Sequence, residues 1–301
     1  MNTRMKMQTD TKDTTEETAI DSDGFRLEVI IEGRGTPILV IGSARYYQRS
    51  FSARLRNHCQ LIFVDHRGFA ACNRPVSESD FQLEIILADI ERVRQILRLD
   101  RFVILGHSGH GYMALEYAKR HADRVAGVVM VATGPNHSSD EMAALEAYWQ
   151  AQASPARKAR FQQQMTRLPA DIERQPEARF IHYCLRAHAR FWYNLEYDAA
   201  PLWAGIQTHM ACFDHLWGEV FRDLRIEQGL ERLQIPVLLA LGRDDFAVAP
   251  HFRWQPYRPA FAKLTVELFD RCGHNPQLEQ AERFDKALLN WLTLLNNDSL
   301  R

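Results

Sequence analysis

"VILGHSGHG", residues 103–111, is an apolar run that breaks into three glycines and two histidines around a single serine, Ser108. A short continuous apolar run that ends in glycine has the pattern of a strand buried on both faces. Directly after it, "YMALEYAKRHA" spaces its apolar residues as an amphipathic helix does. A serine on the sharp turn between such a strand and such a helix is held in a strained conformation, its Oγ raised above the sheet and backbone N–H groups free beside it. The turn needs small neighbours. Gly106 stands two residues before the serine and Gly109 one after, while the position two after is His110, followed by Gly111.

Outward from this stretch, "PILVIG", "QLIFVDHRG", "VAGVVMVATG" and "IPVLLALG" are further buried-strand runs. "FRLEVIIEG" alternates as a half-exposed strand does, and "LTVELFD" is another strand; "LEIILADIERVRQILRL" and "AERFDKALLNWLTLL" have helical spacing. The alternation predicts an α/β fold, a mostly parallel central sheet covered by helices and joined by right-handed crossovers. The rhythm stops between Pro135 and Arg232, where the chain is helical and rich in Trp, Tyr, Phe and His. The predicted organisation is a polar, disordered tail over residues 1–21, a core from 22–134 and 233–301, and a helical cap over 135–232 inserted into it.

The 301 residues carry a formal net charge of −1, with acids and bases spread along the chain, so there is no basic field of the kind that draws nucleic acid or anionic lipid. The expected partner is a small molecule or short peptide, with no nucleic acid and no membrane; a homo-oligomer is compatible with the sequence. No apolar run approaches the roughly 20 residues of a membrane span, and the first residues lack the apolar centre of a signal peptide. A cytoplasmic protein is expected. Cys59, Cys72, Cys184, Cys212 and Cys272 are scattered and never form C-x-x-C, which argues against a disulfide framework or a zinc site. The cap histidines His182, His188, His209 and His215 are not spaced to put two ligands on one helix face, so no metal and no cofactor is expected.

A hydroxyl near neutral pH is a weak nucleophile unless a base takes its proton, and the base needs a third group to fix its tautomer. "VLLALGRDDFAVAP" places Asp244 and Asp245 just past one strand, and "VELFDRCGHNPQLEQ" places His274 just past the next. The order Ser, Asp, His suits a nucleophile on such a turn. His107 and His110 read as residues that pack or hydrogen-bond around it.

From about Phe25 to Leu295 the chain resembles the α/β-hydrolase family, and within it the proline iminopeptidase-like serine peptidases. Besides the serine turn, "VDHRGFAAC" resembles the family's D-x-R-G-x-G-x-S segment, "GRDD" its acid loop and "CGHNPQLE" its histidine loop; "RFWYNLEYDAAPLW" is similar to a cap stretch of the iminopeptidases. Elbows with a histidine at the place of His110 also resemble that subgroup. The resemblance implies Asp245 as the acid, and an oxyanion held by the N–H groups of Gly109 and Ser43. There are departures. Ile41 stands where the family has histidine, the Gly-Pro-Gly continuation is missing from "IGSARYY", and Ala70 and Cys72 replace Gly and Ser.

The implied reaction is two-step acyl transfer through an acyl-enzyme, with Ser108, His274 and Asp245 as catalytic residues. The first reading is an aminopeptidase of the proline iminopeptidase type, releasing N-terminal residues from small peptides. It requires a cap carboxylate for the substrate's α-ammonium; Glu196 and Asp198 are the first candidates and Glu219 the next, with Tyr46 and Trp192 as further substrate-binding residues. The alternative is a carboxylesterase, thioesterase or lactonase with the same triad and no such acid. A binding protein on this fold would lose a triad member, and none is lost. Dehalogenase and epoxide hydrolase chemistry needs a carboxylate where this chain has Ser108.

Overall fold

Each apolar run becomes a strand because successive side chains face opposite sides of a sheet and both sides are covered. The strands are β1 (Glu16–Ser22), β2 (Phe25–Gly33), β3 (Thr36–Gly42), β4 (Cys59–Asp65), β5 (Ala71–Cys72), β6 (Phe102–His107), β7 (Val125–Val131), β8 (Val237–Gly242) and β9 (Leu264–Phe269). This computed structural model describes residues 15–298, and side chains as far as residue 295. The sheet runs in the order β1-β2-β4-β3-β6-β7-β8-β9, with β5 against β2. The pairs β1/β2 and β2/β4 are antiparallel; from β4 through β3 to β9 every pair is parallel.

The expected α/β architecture is therefore present. In β3, Leu39 and Ile41 pack into one core and Ile38 and Val40 into the other; in β6, Ile104 goes one way and Val103 and Leu105 the opposite way. Of the helices α1 (Ala44–Gln48), α2 (Leu83–Ile96) and α3 (His110–Arg120), the last two close the first core. Residues of α1 and of the C-terminal helix Ala281–Asp298 close the second.

The tail expected over residues 1–21 is corrected at its inner end, while residues 1–14 lie outside the described residues. Glu16–Ser22 forms β1, paired with β2 from Glu16 against Ile31 to Ser22 against Phe25. Asp23 and Gly24 make the turn with φ of 49° and 81°. Two successive positive φ values are what a tight hairpin needs, and Asp-Gly supplies them readily. Ile20 and Ser22 face inward, and the Ser22 hydroxyl donates to Asp89 of α2 at 2.6 Å.

Between β7 and β8, residues 135–232 form helices and no strand, the longest being Ser139–Gln152 and Pro155–Met165. Ser138 and Ser154 start these two by accepting the N–H groups of Glu141 and Arg157. Cys212, Leu216 and Phe221 of this segment join the first core, and Trp192 and Leu202 the second. Among the described residues no helix is long and apolar enough to cross a membrane.

Candidate active site

β6 ends at His107, and Ser108 follows in the left-handed backbone region, φ 58°. That conformation costs a non-glycine residue on the order of 1–2 kcal/mol. Three hydrogen bonds hold it. The Ser108 N–H donates to the Val131 carbonyl of β7 (2.8 Å), and the Ser108 carbonyl accepts from the Gly111 N–H (3.0 Å) and the Thr133 hydroxyl (2.9 Å). The flanking glycines are required by space: a Cβ on Gly106 would overlap the His110 carbonyl, and one on Gly111 the Thr133 hydroxyl.

Loops after β8 and β9 bring the other two groups together. His274 Nδ1 lies 2.8 Å from Asp245 Oδ2, and both residues are buried. A carboxylate only accepts, so neutral His274 carries its proton on Nδ1 and leaves a lone pair on Nε2. The other oxygen, Asp245 Oδ1, accepts the Ala247 N–H at 2.8 Å. Asp244 is turned elsewhere: its N–H donates to the Cys272 carbonyl (2.9 Å), and burial pushes its carboxyl up against the opposing pull of Arg157 and Arg243.

The histidine loop is anchored by a carboxylate to which sequence reasoning assigned no part. Glu279 Oε1 accepts the N–H groups of Gly273 (3.0 Å) and Asn275 (3.1 Å), and Oε2 accepts that of Tyr193 (2.6 Å). Burial pushes its carboxyl up to about 7 despite these three donors. The signal lay in "GHNPQLE", where the acid follows the histidine by a fixed short step. The His274 N–H donates to the Phe191 carbonyl (2.6 Å), and a Cβ on Gly273 would sit 2.5 Å from that oxygen. From the far side the buried Arg157 guanidinium donates to the carbonyls of Ala189 (2.7 Å), Trp192 (2.6 Å) and Tyr193 (2.5 Å). The segment 188–193 is thus tied directly to the histidine loop.

Ser43 follows β3 and caps α1, its Oγ accepting the Tyr46 N–H at 3.4 Å. The next N–H, that of Ala44, is taken by Asp65 Oδ1 at 2.7 Å, and burial pushes the Asp65 carboxyl up to about 7. Ser43 lines the same cavity as Ser108, and Gly109 directly follows Ser108 at the start of α3. Trp217 presses on this turn: a Cβ on Gly109 would lie 2.5 Å from its ring.

The cavity, about 240 Å³, lies over the C-terminal ends of the parallel strands, where α/β sheets bind ligands. Ser108, His274, Ser43, Asn136, His137 and Asn275 are among its polar lining residues, with Tyr47, His107 and His110 beside the serine turn, and Tyr46, Phe180, Trp192, Trp203 and Trp217 form much of its wall. Among the described residues, no Asp, Glu, Lys or Arg lines it. This corrects the expectation for the cap acids. The Glu196 side chain is 78% exposed and 3.7 Å from Arg160. Asp198 accepts the Ala200 N–H at 3.0 Å, and Glu219 stays outside on His215 at 3.1 Å. A carboxylate left in water avoids the desolvation cost of an unpaired buried charge, and these three stay there. Tyr46 and Trp192 do line the cavity, the latter stacked on Tyr197 with ring centroids 4.1 Å apart. Away from it, Glu78, His215 and Glu219 bring one ligand atom each within 4.8 Å of one another, with both carboxylates exposed.

A strained serine after β6, a histidine after β9 oriented by an aspartate after β8, and a cavity over the strand ends define a hydrolase-type α/β protein. Residues 29–281 match the alpha/beta hydrolase fold family, and the chain belongs to it. It is 43% identical over 271 residues to the AB hydrolase superfamily protein YclE of Bacillus subtilis (strain 168), a match covering 90% of this chain and 96% of that one. The proline iminopeptidase of Mycobacterium smegmatis has a similar structure, with a TM-score of 0.72, 15% identity, and 94% and 100% of the two chains covered. The esterase EaEST from Exiguobacterium antarcticum does too, with a TM-score of 0.64, 19% identity, and 94% and 100% covered. At such identities these two share the fold.

Proposed function

We propose that this chain is a serine hydrolase that forms an acyl-enzyme on Ser108 from neutral, largely apolar acyl substrates: an ester, thioester or lactone. The cavity carries this reading, because Ser108 and His274 open into it and, among the described residues, no Asp, Glu, Lys or Arg does. An N-terminal α-ammonium would lose its water there with no carboxylate to meet it, at a cost of several kcal/mol. A neutral ester meets no such penalty. That favours the esterase-type reading over the aminopeptidase.

In the proposed mechanism His274 Nε2 takes the Ser108 Oγ proton as the oxygen attacks the carbonyl carbon. Asp245 holds Nδ1–H and stabilises the imidazolium that forms. The N–H groups of Gly109 and Ser43 receive the oxyanion, and loss of one such donor costs about 3 kcal/mol. The imidazolium then gives its proton to the departing oxygen or sulfur, and water cleaves the acyl-serine by the same route in reverse. The test is a paired assay of p-nitrophenyl esters from acetyl to decanoyl against aminoacyl p-nitroanilides, proline included. Ester kcat/KM is expected to lead on the order of 100-fold and to vanish in Ser108→Ala; a preference for proline p-nitroanilide would overturn the reading.

A further inference from the structure

Three buried histidines around the serine turn form a chain whose proton positions follow from its two ends. At one end the Gly68 N–H donates to His66 Nδ1 (3.0 Å), so His66 carries its proton on Nε2. That atom lies 3.1 Å from His110 Nε2, which must accept; His110 Nδ1–H then donates to the His107 carbonyl (3.0 Å) and to Tyr47 Oη (3.0 Å). At the other end His107 Nε2 lies 2.7 Å from the carbonyl of His274, which can only accept. His107 therefore carries its proton on Nε2 and takes the Tyr47 hydroxyl proton on Nδ1, 3.1 Å away. His66, Tyr47, His107 and His110 are each no more than 5% exposed. Every donor has an acceptor in one direction, from the Gly68 N–H to the backbone of His274.

We propose that His66, His110, Tyr47 and His107 are positioning residues: the chain fixes the His274 peptide through His107 Nε2–H and keeps His107 neutral beside the general base. This rests on His274 being that base. The His107 and His274 rings are 4.8 Å apart, so a second positive charge would oppose the imidazolium formed in each turnover. A proton added at His107 Nδ1 would meet Tyr47 Oη, which already receives His110 Nδ1–H, and the tyrosine proton would lose its acceptor in a buried place. The chain is a brace rather than a proton relay, since the carbonyl at its end has no proton to pass. Together with the Phe191 carbonyl on the His274 N–H, it holds that residue's backbone from both sides. The departure from glycine at His110 then has a use: a ring at this position reaches both His66 and Tyr47.

Two measurements test the proposal. Nitrogen-15 NMR of histidine-labelled protein near neutral pH is expected to show neutral rings, with the proton on Nε2 in His66 and His107 and on Nδ1 in His110. Another tautomer or a charged ring at His107 or His110 overturns the chain, whether or not the protein hydrolyses esters. With p-nitrophenyl butyrate as probe, His107→Phe is expected to lower kcat about 30-fold with KM within about two-fold. His107→Gln, whose amide can again donate toward the His274 carbonyl, is expected to recover most of the loss. Tyr47→Phe, which keeps the packing and removes one oxygen, should fall between and stands in if His107→Phe does not fold. A kcat within about two-fold of wild type for Tyr47→Phe and for folded His107→Phe overturns the positioning role while the hydrolase reading stands. Equal inactivity of wild type and Ser108→Ala overturns the hydrolase reading, and with it the assignment of a base to be positioned.

Discussion

The φ of 58° at Ser108 is held by three hydrogen bonds, to the Val131 carbonyl of β7 and from the Thr133 hydroxyl and the Gly111 N–H. At this scale the spacing of the sequence was most informative, because a serine between glycines after a strand, and a histidine after a later one, have few other uses. What spacing could not convey was direction. Asp244 and Asp245 are neighbours, yet only Asp245 reaches His274, so Asp245→Asn is expected to lower kcat on the order of 10⁴-fold. Asp244→Asn should stay within about ten-fold of wild type, and side-by-side steady-state kinetics checks the ranking. The cap acids show the same limit with the opposite outcome. Glu196 and Asp198 sit in the expected "WYNLEYD" segment but face water, since nothing in residue order says which side of a short loop is buried. Glu196→Gln and Asp198→Asn are each expected to change ester kcat/KM less than about two-fold.

Among the elements, the buried parallel strands were legible from their continuous apolar runs, and β1 was not. Only Ile20 and Ser22 of its seven side chains are buried and most of the rest are polar, so its composition is that of a tail; the informative pair was Asp23-Gly24, a hairpin signal in two residues. Gly24→Val forces a branched residue into φ 81°. It is expected to cost about 1–2 kcal/mol and to lower Tm by roughly 2–3 °C, read by calorimetry, with kcat unchanged. The junction between the histidine loop and segment 188–193 was equally hidden, because it is made of backbone groups, which sequence does not distinguish. Gly273→Ala pushes a methyl against the Phe191 carbonyl that accepts the His274 N–H. About a ten-fold loss of kcat is expected with a Tm drop of a few degrees, and an unchanged kcat would separate that junction from catalysis.

For the molecule as a whole, the buried neutral histidines set the response to acid. Burial holds His66 and His107 down at about 3 and His137 at about 4, and pushes His110 the same way. Because these folded pKa values lie below the unfolded one, the stability they contribute is complete above about pH 6.5 and is lost as pH falls toward about 3. Asp65 and Glu279, raised to about 7 by burial, act oppositely and favour the folded state as pH falls below 7. The histidines outnumber them, so urea unfolding is expected to show a loss on the order of 3 kcal/mol or more between about pH 7 and pH 4; stability that is flat or rising over that range would contradict it. The proposed acyl-enzyme on Ser108 fits the same preference for neutral groups, since among the described residues no Asp, Glu, Lys or Arg lines its cavity. The most direct test of that acyl-enzyme is peptide-mapping mass spectrometry of protein quenched during turnover of p-nitrophenyl butyrate. One butyryl group is expected on the peptide that contains Ser108, absent in Ser108→Ala; turnover of the ester with no adduct at Ser108, or with the adduct on another residue, would overturn the acyl-serine mechanism.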